Sequence, residues 1–234
     1  MKIIPIQTER VELNPEGTLS SWIIDQLYEK NQALVDGDIL VVTSKVVSFF
    51  EGKVVPMGIQ SLEEIVESEA DEILHPSEWV MLTRKNDILC PNAGVDTSNA
   101  PEGHVVLWPT DAFASAYKLQ REISEQENLS KLAVIIADCV CQPGRSGTTA
   151  IAIGYAGIKG FDDLKDSTDL FGNTLRYSAL NIVDSLATSA NLLMGEGRES
   201  QPLAIIREYD WELVEQTKND EMNISSSDEM FPLS

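Results

Sequence analysis

The sequence predicts an α+β (mixed α/β) fold, and three observations point there. Apolar runs of strand length recur at DILVV, LAVIIA, AIAIG and LAIIR. Stretches with apolar residues at helical spacing stand among them. The two kinds follow one another irregularly, without the strict β-α-β alternation of a purely parallel sheet. At 234 residues the chain is long enough to bury a substantial core, in one large domain or two small ones, and it carries no repeat of solenoid period.

KIIPIQTERVEL alternates apolar and polar positions as a strand does, and NPEG supplies a turn. TLSSWIIDQLYEKNQALV places Leu19, Trp22, Ile23, Leu27 and Leu34 near helical spacing, with Thr18 as the cap. DGDILVVTSKVVSFFEGKVVPM reads as a turn, a buried strand, a polar break at Thr43–Lys45 and a second strand after the EG turn. SLEEIVESEADEILHP predicts an acidic-faced helix ended by Pro76. VMLTR is a strand, RKND a turn, PNAGVDTSN a loop and HVVLWP a strand. DAFASAYKLQREISEQEN predicts a helix capped by Thr110 or Asp111, and LAVIIAD a strand buried on both faces. AIAIGYAGI is a further strand, followed by the turn-rich FDDLKDSTDLFGN. TLRYSALNIVDSLATSANLLMGEG holds the strongest helical pattern, with Leu175, Leu180, Ile182, Val183, Leu186 and Leu193 on its apolar side. PLAIIRE is the last strand, and the acidic, Ser-rich tail predicts a short helix plus disorder.

Composition excludes several functions. With 38 Asp+Glu against 17 Lys+Arg the net charge is -21, a field that repels nucleic acid and anionic membranes. The longest purely apolar run, LAVIIA, is far below the roughly 20 residues of a membrane span. No secretory signal opens the chain, so a cytoplasmic location is expected. The three cysteines, Cys90, Cys139 and Cys141, do not form a disulfide framework. With two histidines in the chain, buried thiols are the simpler reading than a zinc site.

Asp96 and Asp138 both stand where an apolar strand gives way to a loop rich in Gly and hydroxyl side chains. Two carboxylates converging at strand ends would make a hard-oxygen site for Mg²⁺ or Mn²⁺; taken singly, each Asp is equally a turn former. Lys45 interrupts an apolar stretch, which suits either an edge facing solvent or an anionic ligand. GEGRES closes the strongest helix, and its glycines have a plain use as C-cap and turn, while Glu196 and Arg198 stay available to a ligand. No Walker A, GxSxG, HExxH, CxxC or convincing GxGxxG motif occurs.

DGDILVVTSKVVSFFEGKVV, PNAGVDTSN, VLWPTDAFASA, the Asp138 segment with AIAIGYAGI, DDLKDSTDLFGNTL, and LLMGEG before PLAIIRE lie in the order and approximate spacing of one family. From about Ile3 to Arg207 the chain resembles the coenzyme F420-0:γ-glutamyl ligases. The resemblance implies that family's fold, with mixed or antiparallel sheets in an intertwined homodimer. It implies a ligase-like catalytic region over 1–207, built as one unit or as two intertwined subdomains, ahead of an acidic tail at 208–234. It also implies a GTP-dependent amide ligase that uses Mg²⁺ or Mn²⁺, helped by a monovalent cation such as K⁺, to add L-glutamate to F420-0 or a related acid.

By the same resemblance Asp96, Asp138 and Cys139 are metal ligands, with Glu196 near a second ion. Thr43, Ser44 and Lys45 lie against the nucleotide phosphates, Lys45 supplying a point charge. The turn bearing Glu12 and Leu13 touches the nucleotide, as do Asn99 and the Gly195, Glu196, Gly197 segment. Arg145 belongs to the catalytic set with Lys45, Asp96 and Asp138. The loop after Asp138 departs from the family pattern: Thr, Gly, Arg, Trp, Gln and Asp are replaced by Cys139, Cys141, Gln142, Gly144, Thr148 and Ala150, whereas Pro143, Arg145, Gly147 and Thr149 match. Asn173 likewise replaces an arginine. Two alternatives therefore stand beside the F420-0 ligase: the same chemistry on another carboxylate acceptor, and a noncatalytic nucleotide-binding homologue.

Overall fold

Residues 1–77, 80–215, 222 and 224 are described by a computed structural model. The chain opens with β1 (Lys2–Ile6) and α1 (Leu19–Glu29), where the Thr18 hydroxyl accepts the Ser21 N–H as the N-cap. Strand β2 (Asp38–Thr43) passes directly into α2 (Ser44–Phe50), followed by β3 (Val54–Pro56). Helix α3 (Leu62–Glu69) starts with a capping box between Ser61 and Glu64. The strands β4 (Glu72–His75), β5 (Leu82–Lys85) and β6 (Ile88–Pro91) form an antiparallel meander. A short 3₁₀ turn at Asn92–Gly94 leads on to β7 (His104–Val106), which pairs with β3. Then come α4 (Ala112–Glu127), capped by Asp111, and the long strands β8 (Leu132–Cys141) and β9 (Thr148–Ala156). An arm built on β10 (Phe161–Asp163) and β11 (Ala179–Asn181) precedes α5 (Ile182–Met194) and β12 (Leu203–Arg207).

The main sheet runs β1-β12-β2-β8-β9, with β2 and β8 parallel and the other neighbours antiparallel. Its central strands carry the unbroken apolar runs Ile39–Val42 and Leu132–Ala137 because both faces are covered there. Leu40, Val42, Val134 and Ile136 face α1 and α4, meeting Ile23, Leu27, Leu119 and Ile123. Ile39, Val41, Ile135 and Ile206 face α5, meeting Val183, Leu186, Ala190 and Met194. A separate small core joins α3 to residues near β5 and β7 through Ile65, Val66, Met81, Val95, Val105 and Leu107.

The fold departs from the sequence expectation in a few places. The polar break at Thr43–Lys45 is a strand-to-helix junction: SKVVSFF is helical despite its β-favouring residues, because the short helix is buried nearly all round, with Val47 in the main core and Phe49 against Val54 and Val106. The acidic helix stops at Glu69, and Glu72–His75 is a strand because it gains β5 as a partner. Leu34 lies beyond α1 yet is buried. Leu175 and Leu180 precede α5, and Leu193 on that helix is exposed. Residues 209–215 hold no helix; Trp211 is buried and Leu213 bridges Ile158, while the rest of the predicted tail helix and disorder, apart from Met222 and Ile224, lies outside the described residues.

One buried ion pair locks the sheet. Asp38 is fully buried, and Arg207 approaches it with two bonds, Nε to Oδ1 at 2.7 Å and Nη2 to Oδ2 at 2.6 Å. The Val35 N–H adds a third at 2.9 Å. Removing the guanidinium would strand a charge that has no water to solvate it. Arg207→Ala is therefore expected to destabilise the fold by about 3 kcal/mol, read as a lower urea midpoint; an unchanged midpoint would exclude this role.

Candidate active site

The parallel pairing of β2 with β8 aligns Thr43 with Ala137, so the next residues along each chain, Ser44 and Asp138, emerge side by side. The parallel pairing ends there: β2 turns into α2, whereas β8 runs on to Cys141 against β9. Asp138 therefore lies within its strand rather than at the loop the sequence suggests, beside the carboxyl end of β2, the kind of place where ligands gather in open α/β sheets. Ser44 Oγ donates to Asp138 Oδ1 at 2.6 Å. From the opposite side the indole N–H of Trp108 donates to Oδ2 at 2.7 Å. Asp138 thus arrives in the site with both oxygens already oriented.

Asp96 comes from a different direction. Its backbone exchanges two hydrogen bonds with Val106, at 2.9 and 2.8 Å, which pins the loop to β7. Its carboxylate accepts the Ser98 N–H at 2.6 Å and the Ser98 hydroxyl at 2.9 Å, an Asx turn of the kind its surroundings in sequence suggest. Lys45, in the first turn of α2, closes the arrangement with an ion pair of 2.7 Å to Asp96 Oδ2.

These groups set one another's charge. Burial works against the Lys45 ammonium, but the carboxylates of Asp138 and Asp96 outweigh it and hold its pKa above the ordinary value. Burial pushes Asp96 up, and the Lys45 charge together with the Ser98 bonds reverses that, leaving its carboxyl below the usual range. For Asp138 burial prevails, so its carboxyl stays raised although Lys45, Ser44 and Trp108 favour the anion.

A second cluster adjoins the first. Cys139 Sγ donates to Glu196 Oε1 at 2.8 Å and lies 3.4 Å from Asn191 Oδ1, while Asn191 Nδ2 donates to the same Glu196 oxygen at 2.6 Å. Burial first, then the hydrogen bond and charge of Glu196, raise the Cys139 thiol well above its ordinary pKa. The loop from Gly195 to Ser200 is fastened on two sides. Asn99 Nδ2 donates to Gly197 O at 3.2 Å, and Thr8 and Ser200 exchange bonds of 2.8 and 2.9 Å. The segments around residues 8, 96–99 and 195–200, far apart in the chain, are thereby stitched into one rim.

Most of the residues expected in the site are brought together: Ser44, Lys45, Asp96, Asp138, Cys139 and Glu196 in neighbouring clusters, with Asn99 and Gly197 on the rim. Thr43 caps α2, and Gly195 caps α5 at φ 86°. Glu12 pairs at the surface with Arg10 at 2.7 Å, and Leu13 is exposed beside it. Arg145 sits on the exposed connection between β8 and β9. No contact among the described residues joins these last three to the carboxylates.

The donor set bears on which ion would fit. Among the described residues no group of three or more His, Cys, Asp and Glu side chains is arranged as a complete cage. Mg²⁺ does not require one, because it usually takes one or two carboxylates and completes its shell with phosphate oxygens and water. Asp96 and Asp138, both beside Lys45, are two carboxylates of that kind, and Glu196 lies in the adjoining cluster. The Cys139 thiol, donating to Glu196 Oε1, adds a soft sulfur at the edge of this oxygen set.

Sequence reasoning missed Trp108, Gly94 and Asn191. Trp108 carried a signal: a buried indole needs a partner for its N–H, and VLWP places one at the end of a strand. Gly94 explains how that indole fits. It lies at φ 71°, and a Cβ there would fall 2.3 Å from the Trp108 ring. Gly94→Ala is expected to cost about 2 kcal/mol through overpacking and a strained backbone, measured by urea unfolding, and to alter tryptophan emission as the indole is displaced. A variant with native stability and emission would contradict this packing.

A family model described as F420-0:Gamma-glutamyl ligase matches residues 7–208. The chain is 33% identical over 207 residues to the coenzyme F420:L-glutamate ligase of Methanothermobacter thermautotrophicus, covering 81% of this chain and 82% of that protein. It is 34% identical over 189 residues to the enzyme of the same name from Archaeoglobus fulgidus, covering 74% and 76%. For that of Methanosarcina barkeri the identity is 35% over 241 aligned positions, covering 95% and 92%.

Proposed function

The chain belongs to the F420-0:γ-glutamyl ligase family and is a carbon–nitrogen ligase; from that premise we propose that it adds L-glutamate to coenzyme F420-0, driven by GTP and a divalent cation. The observation that carries this reading is Lys45 ion-paired to Asp96 and within the field of Asp138, where the parallel pairing of β2 with β8 ends. One positive charge beside two carboxylates suits a site that handles phosphates through metal ions.

In the proposed reaction a carboxylate oxygen of F420-0 attacks the γ-phosphorus of GTP, the bond to the β–γ bridging oxygen breaks, and GDP leaves. The amine of glutamate then attacks the acyl carbon of the resulting acyl phosphate. Inorganic phosphate departs and the nitrogen loses a proton, leaving an amide. Lys45, Thr43 and Ser44 bind the phosphates, and Lys45 offsets the charge on the transferring group. Asn99, the segment 195–197 and the turn with Glu12 and Leu13 enclose the nucleoside. Asp96 and Asp138, with Glu196, would hold Mg²⁺ or Mn²⁺, which screens the triphosphate and polarises its terminal phosphoryl group. A monovalent cation such as K⁺ and the acceptor-side Arg145 complete the expectation.

The test is direct. The chain is incubated with F420-0, L-glutamate, GTP and Mn²⁺, and the product is weighed by mass spectrometry for one added glutamyl residue. ATP in place of GTP, and a panel of other acids in place of F420-0, run alongside. Glutamylation of another acid but not of F420-0 would move the acceptor; nucleotide binding without turnover would leave a noncatalytic homologue. Chelation with EDTA is expected to reduce turnover by at least about 10²-fold, reversed by Mn²⁺. Activity indifferent to the chelator would remove the metal from the proposal.

A homodimer belongs to the same reading. The arm around β10 and β11 exposes Leu170, Phe171 and Tyr177 almost completely, and Leu192 on α5 is similarly bare. An apolar set of this kind suits burial against a second copy. Sedimentation should find a dimer that the double variant Leu170→Asp, Phe171→Asp converts to monomer; a monomeric wild-type chain would refute it.

A further inference from the structure

Asp96 and Asp138 are carried by separate parts of the fold, and one side chain touches the supports of both. Trp108 is buried. Its ring lies directly on Gly94, where even a methyl group would collide at 2.3 Å, two residues before Asp96. Its indole N–H, the only polar atom of the side chain, reaches Asp138 Oδ2 at 2.7 Å. The backbone leading to Trp108 is fixed as well, since Val106, two residues earlier, exchanges both hydrogen bonds with Asp96. The turn that presents Gly94 is itself unusual: Asn92, Ala93 and Gly94 all have positive φ, at 50°, 51° and 71°. A left-handed alanine is uncommon and costs free energy, and Ala93 is held there with its side chain buried and its N–H bound to Thr83 Oγ1 at 2.7 Å. The ring therefore cannot slide toward Asp96 without meeting backbone, nor away without losing Asp138.

We propose that Trp108 is a positioning residue that sets the separation and orientation of the Asp96 and Asp138 carboxylates, acting through Asp138 by its indole N–H and through the Asp96 loop by its seat on Gly94. The inference rests on the ligase reading for its consequence, because spacing matters where both carboxylates serve one metal–nucleotide complex. The role needs the indole specifically. A phenyl ring fills much of the same seat but offers no donor, which frees Asp138 to turn.

The experiment compares the wild-type chain with Trp108→Phe, Asp138→Asn and the double variant. Binding of GTP in the presence of Mn²⁺ is measured by calorimetry, and glutamylation is followed in parallel. Trp108→Phe is expected to weaken Mn²⁺-dependent GTP binding about tenfold, the scale of one lost hydrogen bond to a charged group. In the Asp138→Asn background the same change should have little further effect, because the residue acts through Asp138. Equal affinity of Trp108→Phe and wild type, or losses that simply multiply in the double variant, would overturn the proposal. A merely structural role would lower the unfolding temperature without producing that non-additivity.

The indole ¹⁵N–¹H resonances give a second readout that needs no Trp108 variant for its effect. One of them, assigned by its absence in Trp108→Phe, should shift when Asp138→Asn replaces a charged acceptor by a neutral one. A resonance indifferent to Asp138→Asn would overturn the contact itself. If wild type binds no GTP, the ligase reading fails, and the resonance still decides whether Trp108 holds Asp138.

Discussion

Asp138→Asn is expected to lower kcat/KM for glutamylation by about 10³-fold or more while the chain still folds. The reason lies in the two donors around this carboxylate. Trp108 Nε1 can only donate, so the new amide oxygen must face it. The amide NH₂ then faces Ser44, whose hydroxyl is able to turn and accept. Shape and hydrogen bonds survive, and the charge is lost. Lys45 is left with Asp96 alone, and the divalent ion of the proposed reaction would lose a carboxylate. The check is a pair of measurements: steady-state turnover with Mn²⁺ titrated across its range, and urea unfolding. Near-native turnover in a folded variant would remove Asp138 from the reaction.

Lys45→Ala is expected to reduce turnover by about 10²-fold to 10³-fold, with weaker GTP binding measured by calorimetry. Here the loss is a cation rather than an anion. Asp96 and Asp138 would then face each other without an intervening positive charge, which disfavours ionising both. Lys45→Arg is not expected to restore function, because a planar guanidinium seeks bidentate pairing where this site holds a compact ammonium. The stability of the alanine variant has a definite pH dependence. Asp96 is held below its ordinary 3.8 in the folded chain, so its contribution is present above that value and is lost as pH falls through the folded pKa. Asp138 is raised by burial, and removing Lys45 raises it further, a penalty that protonation relieves. Both effects act in the same direction. The difference in urea midpoint between wild type and variant should narrow as the solution is acidified through the carboxylate range, and a constant difference would argue against the ion-pair cluster.

Much of this site is legible in the sequence, unevenly. Asp96 and Asp138 stand out because each carboxylate follows an apolar run and precedes Gly and hydroxyl residues, and Lys45 because it breaks a buried run; the structure keeps Asp138 inside β8, which continues to Cys141 against β9. Thr18 and Asp111 announced their helices, since capping is a local matter settled within three residues. Local reasoning failed where a distant partner overrode propensity. Residues 44–50 are rich in Val and Phe and still form a helix, because their burial depends on how α2 leaves the sheet. Residues 72–75 follow a helix and become a strand only because β5 is available. Trp108 was passed over because its partner is 30 residues away along the chain.

The mixed class of fold, most of the strands and helices, the acidic field and the identity of the charged groups that a phosphate-handling site would need can all be read along the chain. Those properties follow from residue type and short-range periodicity. Only the tertiary structure decided that Ser44 and Asp138 share an edge, that Lys45 bonds to Asp96, and that Cys139 and Asn191 both hold Glu196. Such pairings depend on the parallel register of β2 with β8 and on loops closed between remote segments. Register is a property of two strands together, and neither strand encodes it alone.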